Sequence, residues 1–314
     1  MTNNTDEKML SVASSPHIYS GDSVSREMYF VIIALLPALI VSYIFFGLKA
    51  LNIVLVSIFT CVFLEALVQY LRHKPITIND GSAVITGILL AFNLPSTVPY
   101  WIVVLGASVA ILVGKLVFGG LGQNIFNPAL VGRTFLLAAY PVYMTTWVPT
   151  RLMHGIDVST YATPLAIIKE KTGAMLPSYM DMFLGNIGGC IGETSALALI
   201  IGGVFLLYRR VITWHIPVTY IGSVFLLTWI LGKDPLFNIL SGGLMLGAIF
   251  MATDMVTKPV TVKGMIVFGI GCGIVTVFIR FVGKYPEGVS YSILFMNACT
   301  PLIDRYTRPK RFGQ

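Results

Sequence analysis

The chain has 314 residues, of which 56% are hydrophobic and only 11% charged, and its formal charge is +7. A soluble domain carries about 25% charged residues, so this composition excludes an ordinary soluble enzyme and implies a multi-pass protein of the lipid bilayer. The basic residues are scattered among the loops, which favours a basic membrane face over nucleic-acid binding.

In chain order, residues 1–27 are polar and hold no apolar core before Met28, unlike a cleaved signal peptide. Apolar segments follow at 28–46, 51–71, 82–93, 99–117, 128–140, 189–208, 217–231, 236–252, 264–282 and 288–303. Each is predicted to be helical, because lipid leaves backbone polar groups no other partner in a chain without barrel-like alternation. Segment 82–93 spans about 18 Å as a helix, against a hydrocarbon core of about 30 Å. Segments 128–140 and 288–303 are also short. Helices of this kind are broken, re-entrant or buried among others.

The predicted fold is therefore an all-α polytopic membrane protein with about ten transmembrane helices, in two inverted five-helix repeats with short or broken helices. The repeats are 28–140 and 189–303. Between them lies a polar loop, 141–188, and a basic tail follows at 304–314. Aligning 80–99 with 240–259 pairs Gly87 with Gly247, Thr97 with Thr257 and Pro99 with Pro259. An odd number of helices per repeat inverts one copy relative to the other, and short segments at matching positions point to a central binding site. Placing both termini in the cytoplasm puts the larger share of the 21 Lys and Arg residues inside and the 141–188 loop outside.

Several residues stand out along this frame. Glu65 lies deep in the second segment, where a charge costs about 2.5–3.5 kcal/mol or more, so it faces other helices, water or a partner protein. It is either a relay for Na⁺ or H⁺ or a hydrogen-bonded packing residue. Asp80, Glu193 and Asp254 sit near segment ends, and Asp80 and Asp254 read more simply as interfacial residues. Gly119-Gly120-Leu121-Gly122-Gln123-Asn124-Ile125-Phe126-Asn127-Pro128 joins the fourth and fifth segments. Its glycines allow close backbone approach, Asn127 suits an N-cap and Pro128 a first helical turn. The amides of Asn124 and Asn127 suit the pyrimidine edge of an isoalloxazine, although a tight loop with a capped helix explains the same residues. Arg133 calls for a flavin or a carboxylate. Cys61, Cys190, Cys272 and Cys299 lie far apart without a Cys-x-x-Cys, so no iron–sulfur or zinc site is built locally and no metal is expected.

The outer loop holds Asp157-Val158-Ser159-Thr160-Tyr161-Ala162-Thr163. Pro164 biases Thr163 towards an extended conformation that presents its hydroxyl. By itself the stretch reads as a Ser/Thr-rich turn or as a site for a phosphate ester.

At these residues the chain resembles the family that unites the RnfD component of the Rnf ferredoxin:NAD oxidoreductase with the NqrB component of the sodium-pumping NADH:quinone reductase. The family's flavin-attachment signal is Asp, then Ser or Thr at the fourth place, usually Gly, then Ala-Thr. Here these are Asp157, Thr160, Ala162 and Thr163, with Tyr161 in the Gly place. The resemblance covers nearly the whole chain, and the short N-terminal segment favours the Rnf member. It implies FMN joined covalently to Thr163 on the outer face, and a non-covalent riboflavin near the inner face that touches Asn124 and Asn127. It also implies a bacterial inner-membrane complex that carries electrons from ferredoxin to NAD⁺ and drives Na⁺ or H⁺ outward. Partners would be Rnf subunits A, B, C, E and G and a flavin transferase. With no iron–sulfur signature or nucleotide fold, this chain needs partners at both ends of that reaction and has no catalytic residue of its own. The rival reading is an inverted-repeat channel or secondary transporter without a redox cofactor.

Overall fold

The computed structural model describes residues 23–150, 163–170, 176–193, 195–283 and 287–309. The Ser23 side chain accepts a hydrogen bond from Arg26 N–H and starts α1 (Val24–Phe46). Gly47, at φ 71°, turns the chain into α2 (Leu48–Leu71). Then come α3 (Ser82–Phe92), α4 (Tyr100–Ile111), α5 (Pro128–Ala139) and the short α6 (Pro141–Thr145). α4 continues as a wider π turn over Leu112–Leu116. Past the described part of the loop, α7 (Pro164–Glu170) and α8 (Tyr179–Leu184) precede α9 (Ala196–Tyr208) and α10 (His215–Ile230). The chain ends with α11 (Pro235–Leu240), α12 (Leu244–Leu246), α13 (Val262–Val282) and α14 (Val289–Thr307), and α12 runs into a second π turn at Gly247–Met251.

By length and composition, α1, α2 and α13 can cross a membrane, and several shorter apolar helices pack beside them. Among the described residues there is no strand, only an isolated bridge between Pro95 and Cys190. The sequence-based segments hold with three corrections. Segment 189–208 becomes helical only at Ala196, because Gly188, Gly189 and Gly192 precede it in irregular backbone. Segment 236–252 is broken three ways, into α11, α12 and the π turn. Segment 288–303 is not short: α14 runs 19 residues, to Thr307.

Helical periodicity decides what each long helix buries. On α2 the buried stripe is Ala50, Ile53, Val54, Ser57, Cys61, Glu65 and Gln69, recurring every three or four residues on one face. Glu65 is thus aimed at neighbouring helices by its phase alone. On α13 the stripe runs through Phe268, Cys272 and Thr276 to Arg280. α2 packs on α3 and α4, and α4 on α5; α10 packs on α13, and α13 on α14. The two halves meet where α1 lies along α9. A hydroxyl cluster ties the second half together, with Tyr220 Oη 2.7 Å from Thr276 Oγ1 and 2.9 Å from Ser292 Oγ.

The α1–α9 contact depends on Gly202, where an added Cβ would lie 2.1 Å from the Ala34 carbonyl oxygen. Gly202→Val is expected to destabilise the protein by about 1–3 kcal/mol, read as a lower melting temperature in detergent; an unchanged melt would mean that the helices can part freely there.

Outside the long helices, the exposed Tyr179 hydroxyl donates to Asp234, which also caps α11 by accepting from Phe237 N–H at 3.1 Å. The Tyr179 hydrogen bond holds the Asp234 carboxyl below its ordinary range. A depressed carboxyl adds stability above its unfolded pKa and loses it as pH falls through the folded one. Asp234→Asn should therefore melt below wild type near neutral pH, and the two melts should converge under acid conditions.

Candidate functional site

The loop between α4 and α5 builds one wall of a cleft. Gly119, Gly120 and Gly122 take φ values of 124°, 109° and 88°, which side-chain-bearing residues rarely adopt. A Cβ on Gly119 would sit 1.6 Å from Gln123 Oε1. The loop delivers Asn127 to the start of α5, where Oδ1 accepts from Ala129 N–H at 3.1 Å and Leu130 N–H at 3.3 Å. Asn127 is therefore the N-cap and Pro128 the first helical residue, as the sequence indicated. Asn127 Nδ2 donates to the Met251 carbonyl at 3.4 Å, reaching across to the π turn of the second half. Asn124 Nδ2 donates to the Phe126 carbonyl at 3.1 Å.

Both asparagines line the same cleft, about 740 Å³ with its open mouth included. Its apolar walls include Ile85 and Leu89 of α3, Leu206 of α9 and Phe250 of the π turn. Its polar positions are Ser82, Thr86, Lys115 and Thr253, besides the two asparagines, and Asp254 stands at the same cleft. Mostly apolar clefts with a few convergent polar groups are the usual form of a small-molecule site.

Behind that wall lies a buried ion pair. Lys115 Nζ is 2.7 Å from each oxygen of Glu65 and 2.6 Å from Ser82 Oγ. Lys115 and Glu65 are 2% and 1% exposed, so neither charge has water as a partner. Gln69 Nε2 extends the group from Glu65 to Thr77. The π turn carries Lys115, whose side chain reaches Glu65 of α2 and Ser82 of α3.

A second buried cluster surrounds Arg133 of α5. Its Nη1 donates to Asn93 Oδ1 and, at 2.7 Å, to Glu193 Oε1. Its Nη2 donates to Glu287 and lies 3.8 Å from Cys190 Sγ. The partner of Arg133 is thus a pair of carboxylates from the second half. Ligand atoms of Cys190, Glu193 and Glu287 lie within 4.8 Å of one another, as in a metal site, but the Arg133 guanidinium supplies the cation among them. Arg280 of α13 is also buried; it donates to the carbonyls of Asn238 at 2.6 Å and Ser241 at 3.2 Å.

Of the flavin-attachment residues, Asp157, Thr160 and Ala162 lie outside the described residues. Thr163 is described and is buried rather than presented. Its Oγ1 accepts from Ala166 N–H at 3.3 Å at the start of α7. Pro164 opens that helix, so the residue before it becomes a cap rather than an exposed strand position. Leu165 then inserts among Met182, Ile187 and Phe237, and Lys169 Nζ donates to the Gly283 carbonyl at 2.6 Å.

Of the residues singled out in the sequence, Asn124 and Asn127 line the cleft and Glu65 lies in the buried ion pair, whereas Lys115, Ser82 and the pairing of Arg133 with Glu193 and Glu287 were not read from the sequence. One signal was available: Lys115 and Glu65 are opposite charges inside apolar runs, and such charges are normally paired.

The sequence profile of the NQR2, RnfD, RnfE family matches residues 11–313. The chain belongs to this family. It is 51% identical, over 98% of its length and 96% of the relative's, to the D subunit of the Na⁺-translocating ferredoxin:NAD⁺ oxidoreductase complex of Acetobacterium woodii. It is 47% identical to the D subunit of the proton-translocating ferredoxin:NAD⁺ oxidoreductase complex of Clostridium ljungdahlii, over 98% of this chain and 97% of that one. It is 37% identical to the D subunit of the ion-translocating oxidoreductase complex of Mannheimia succiniciproducens, over 97% and 98% of the two chains. Family membership and the long apolar helices make this a multi-pass membrane protein.

Removing one partner of a buried ion cluster leaves a stranded charge, at a cost of about 3–5 kcal/mol. Arg133→Met, which strands Glu193 and Glu287, should lower the melting temperature in detergent far more than Arg209→Met, whose guanidinium stacks on Phe30 near a helix end.

Proposed function

We propose that this protein is the membrane flavoprotein subunit of an ion-translocating ferredoxin:NAD⁺ oxidoreductase. The observation that carries the proposal is full-length identity of about half to the D subunits of two such complexes, one Na⁺- and one proton-translocating. In this reading FMN is esterified to Thr163 on the outer face, a riboflavin lies in the Asn124–Asn127 cleft near the inner face, and electrons pass between them. Other subunits of the complex supply the iron–sulfur and nicotinamide ends, and a flavin transferase attaches the FMN.

The residues fit these groups. The cleft offers apolar faces for a flat tricyclic ring, with Phe250 among them, and amides at one edge. Among the described residues nothing donates to Asn124 Oδ1, leaving an acceptor for a ring N–H. A bound flavin supplies the redox chemistry, while the protein fixes its position and surroundings. Asn127, committed to capping α5, shapes the wall. Thr163 Oγ1 already lies beside a helix-start N–H, a surrounding that suits an ester oxygen next to a phosphate. Its burial means that the transferase reaches it before α7 docks on the Met182–Phe237 cluster, or with α7 lifted away.

The packing also supports two inverted repeats. α2 contacts both α3 and α4 and α4 contacts α5, while α10 contacts both the second π turn and α13 and α13 contacts α14. Pro99 precedes α4 as Pro259 precedes α13. Both termini are assigned to the cytoplasm by the distribution of basic residues.

Two measurements test this. In-gel flavin fluorescence of the denatured protein, co-expressed with a flavin transferase, should be bright for wild type and absent for Thr163→Val; a dark wild-type band overturns the covalent FMN. Extractable riboflavin should fall at least severalfold in Asn124→Ala. Equal pigment in both would remove Asn124 from the site.

A further inference from the structure

The cleft and the buried ion pair share a wall, and one residue belongs to both. Lys115 lines the cleft, and its ammonium group donates to the two oxygens of Glu65 and to Ser82 Oγ on the same wall. Ser82, another polar group on that wall, donates its hydroxyl hydrogen bond to Asp80 Oδ1 at 2.7 Å. A charge that appears in the cleft therefore faces Lys115, with Glu65 2.7 Å from its ammonium group, as well as Asp254. The medium between them is protein, where charges a few ångströms apart act far more strongly than in water.

We propose that Lys115 is a shared counter-ion that couples the charge of the cleft's occupant to the charge state of Glu65. The proposal rests on the flavin reading of the cleft. With an uncharged occupant, Lys115 neutralises Glu65 in full. Reduction by one electron from the complex's electron donor, without protonation, would add one negative charge to the cleft. Lys115, which keeps its proton, is then divided between two anions. Electroneutrality of the buried group is restored when Glu65 takes up one monovalent cation. One electron in is balanced by one cation in: a sodium ion is held by the carboxylate without a covalent change, whereas a proton from solvent forms one O–H bond on Glu65. Lys115 is in this sense a positioning residue: it acts on the redox group through its charge and on Glu65 through its hydrogen bonds.

The test is the midpoint potential of the non-covalent flavin in the purified complex, by spectroelectrochemical titration. Glu65→Gln frees the positive charge of Lys115 to act on the cleft. It should favour the reduced flavin at least tenfold, which is about 59 mV upward for a one-electron couple. Lys115→Met should move the potential in the opposite direction. The double variant, again neutral, should lie between the two singles, near wild type. Because Lys115→Met strands a buried carboxylate, Lys115→Arg gives a second check: it keeps the charge and should hold the potential close to wild type. A Glu65→Gln potential equal to wild type would overturn the coupling. A wild-type complex without extractable flavin, or with flavin content unaffected by Asn124→Ala, would overturn the flavin reading and the coupling together. Bound, Asn124-dependent flavin with unmoved potentials would overturn the coupling alone.

Discussion

A charge held among apolar helices costs several kcal/mol unless an opposite charge meets it with its hydrogen bonds satisfied. In this protein that constraint decides which elements touch. Glu65 of α2 and Lys115 of the first π turn converge because neither charge would be tolerated alone in lipid, and Ser82 of α3 completes their hydrogen bonds. Arg133 of α5 does the same across the two halves, drawing in Asn93 after α3, Glu193 before α9 and Glu287 before α14. The apolar packing around these groups sets helix spacing, and the ion clusters set register. A slip by one residue on α2 would rotate Glu65 about 100° away from Lys115.

The same constraint places the cleft. Its walls come from both halves: α3, the glycine loop and the start of α5 on one side, and the end of α9 and the second π turn on the other. The two π turns lie where helices must open to admit something other than another helix, a common position for this distortion. One carries Lys115 and the other Phe250. The Asn127–Met251 hydrogen bond crosses between the halves at the same level. Helix capping, domain contact and site construction thus share one side chain, which leaves Asn124 the freer amide of the pair.

Much of this was legible along the chain. The Asn127-Pro128 start of α5 is local chemistry, a cap and a ring with fixed φ, and it needs no tertiary information. The break in 236–252 was not read from its continuous apolar run, although Gly242, Gly243 and Gly247 lie where the helix is interrupted. The extent of α14 did not follow, because polar residues such as Asp304 and Arg305 end the apolar run while the helix continues through them. Thr163 was misjudged for a related reason. Pro164 is equally compatible with an extended chain and with the first turn of a helix, and only the docking of Leu165 selects the helix.

By itself, the sequence determined class and membership: too few charges for a soluble domain, apolar runs of helical length, and motifs matching one family from end to end. These are properties of composition and of neighbours along the chain. Tertiary structure alone decided which charges pair. Lys115 and Glu65 are 50 residues apart, and Arg133 and Glu287 are 154 apart. A hydropathy pattern records that each is a charge in an apolar setting but carries no information on its partner. That choice is made when the helices pack, because only then does desolvation make an unpaired charge too costly to keep.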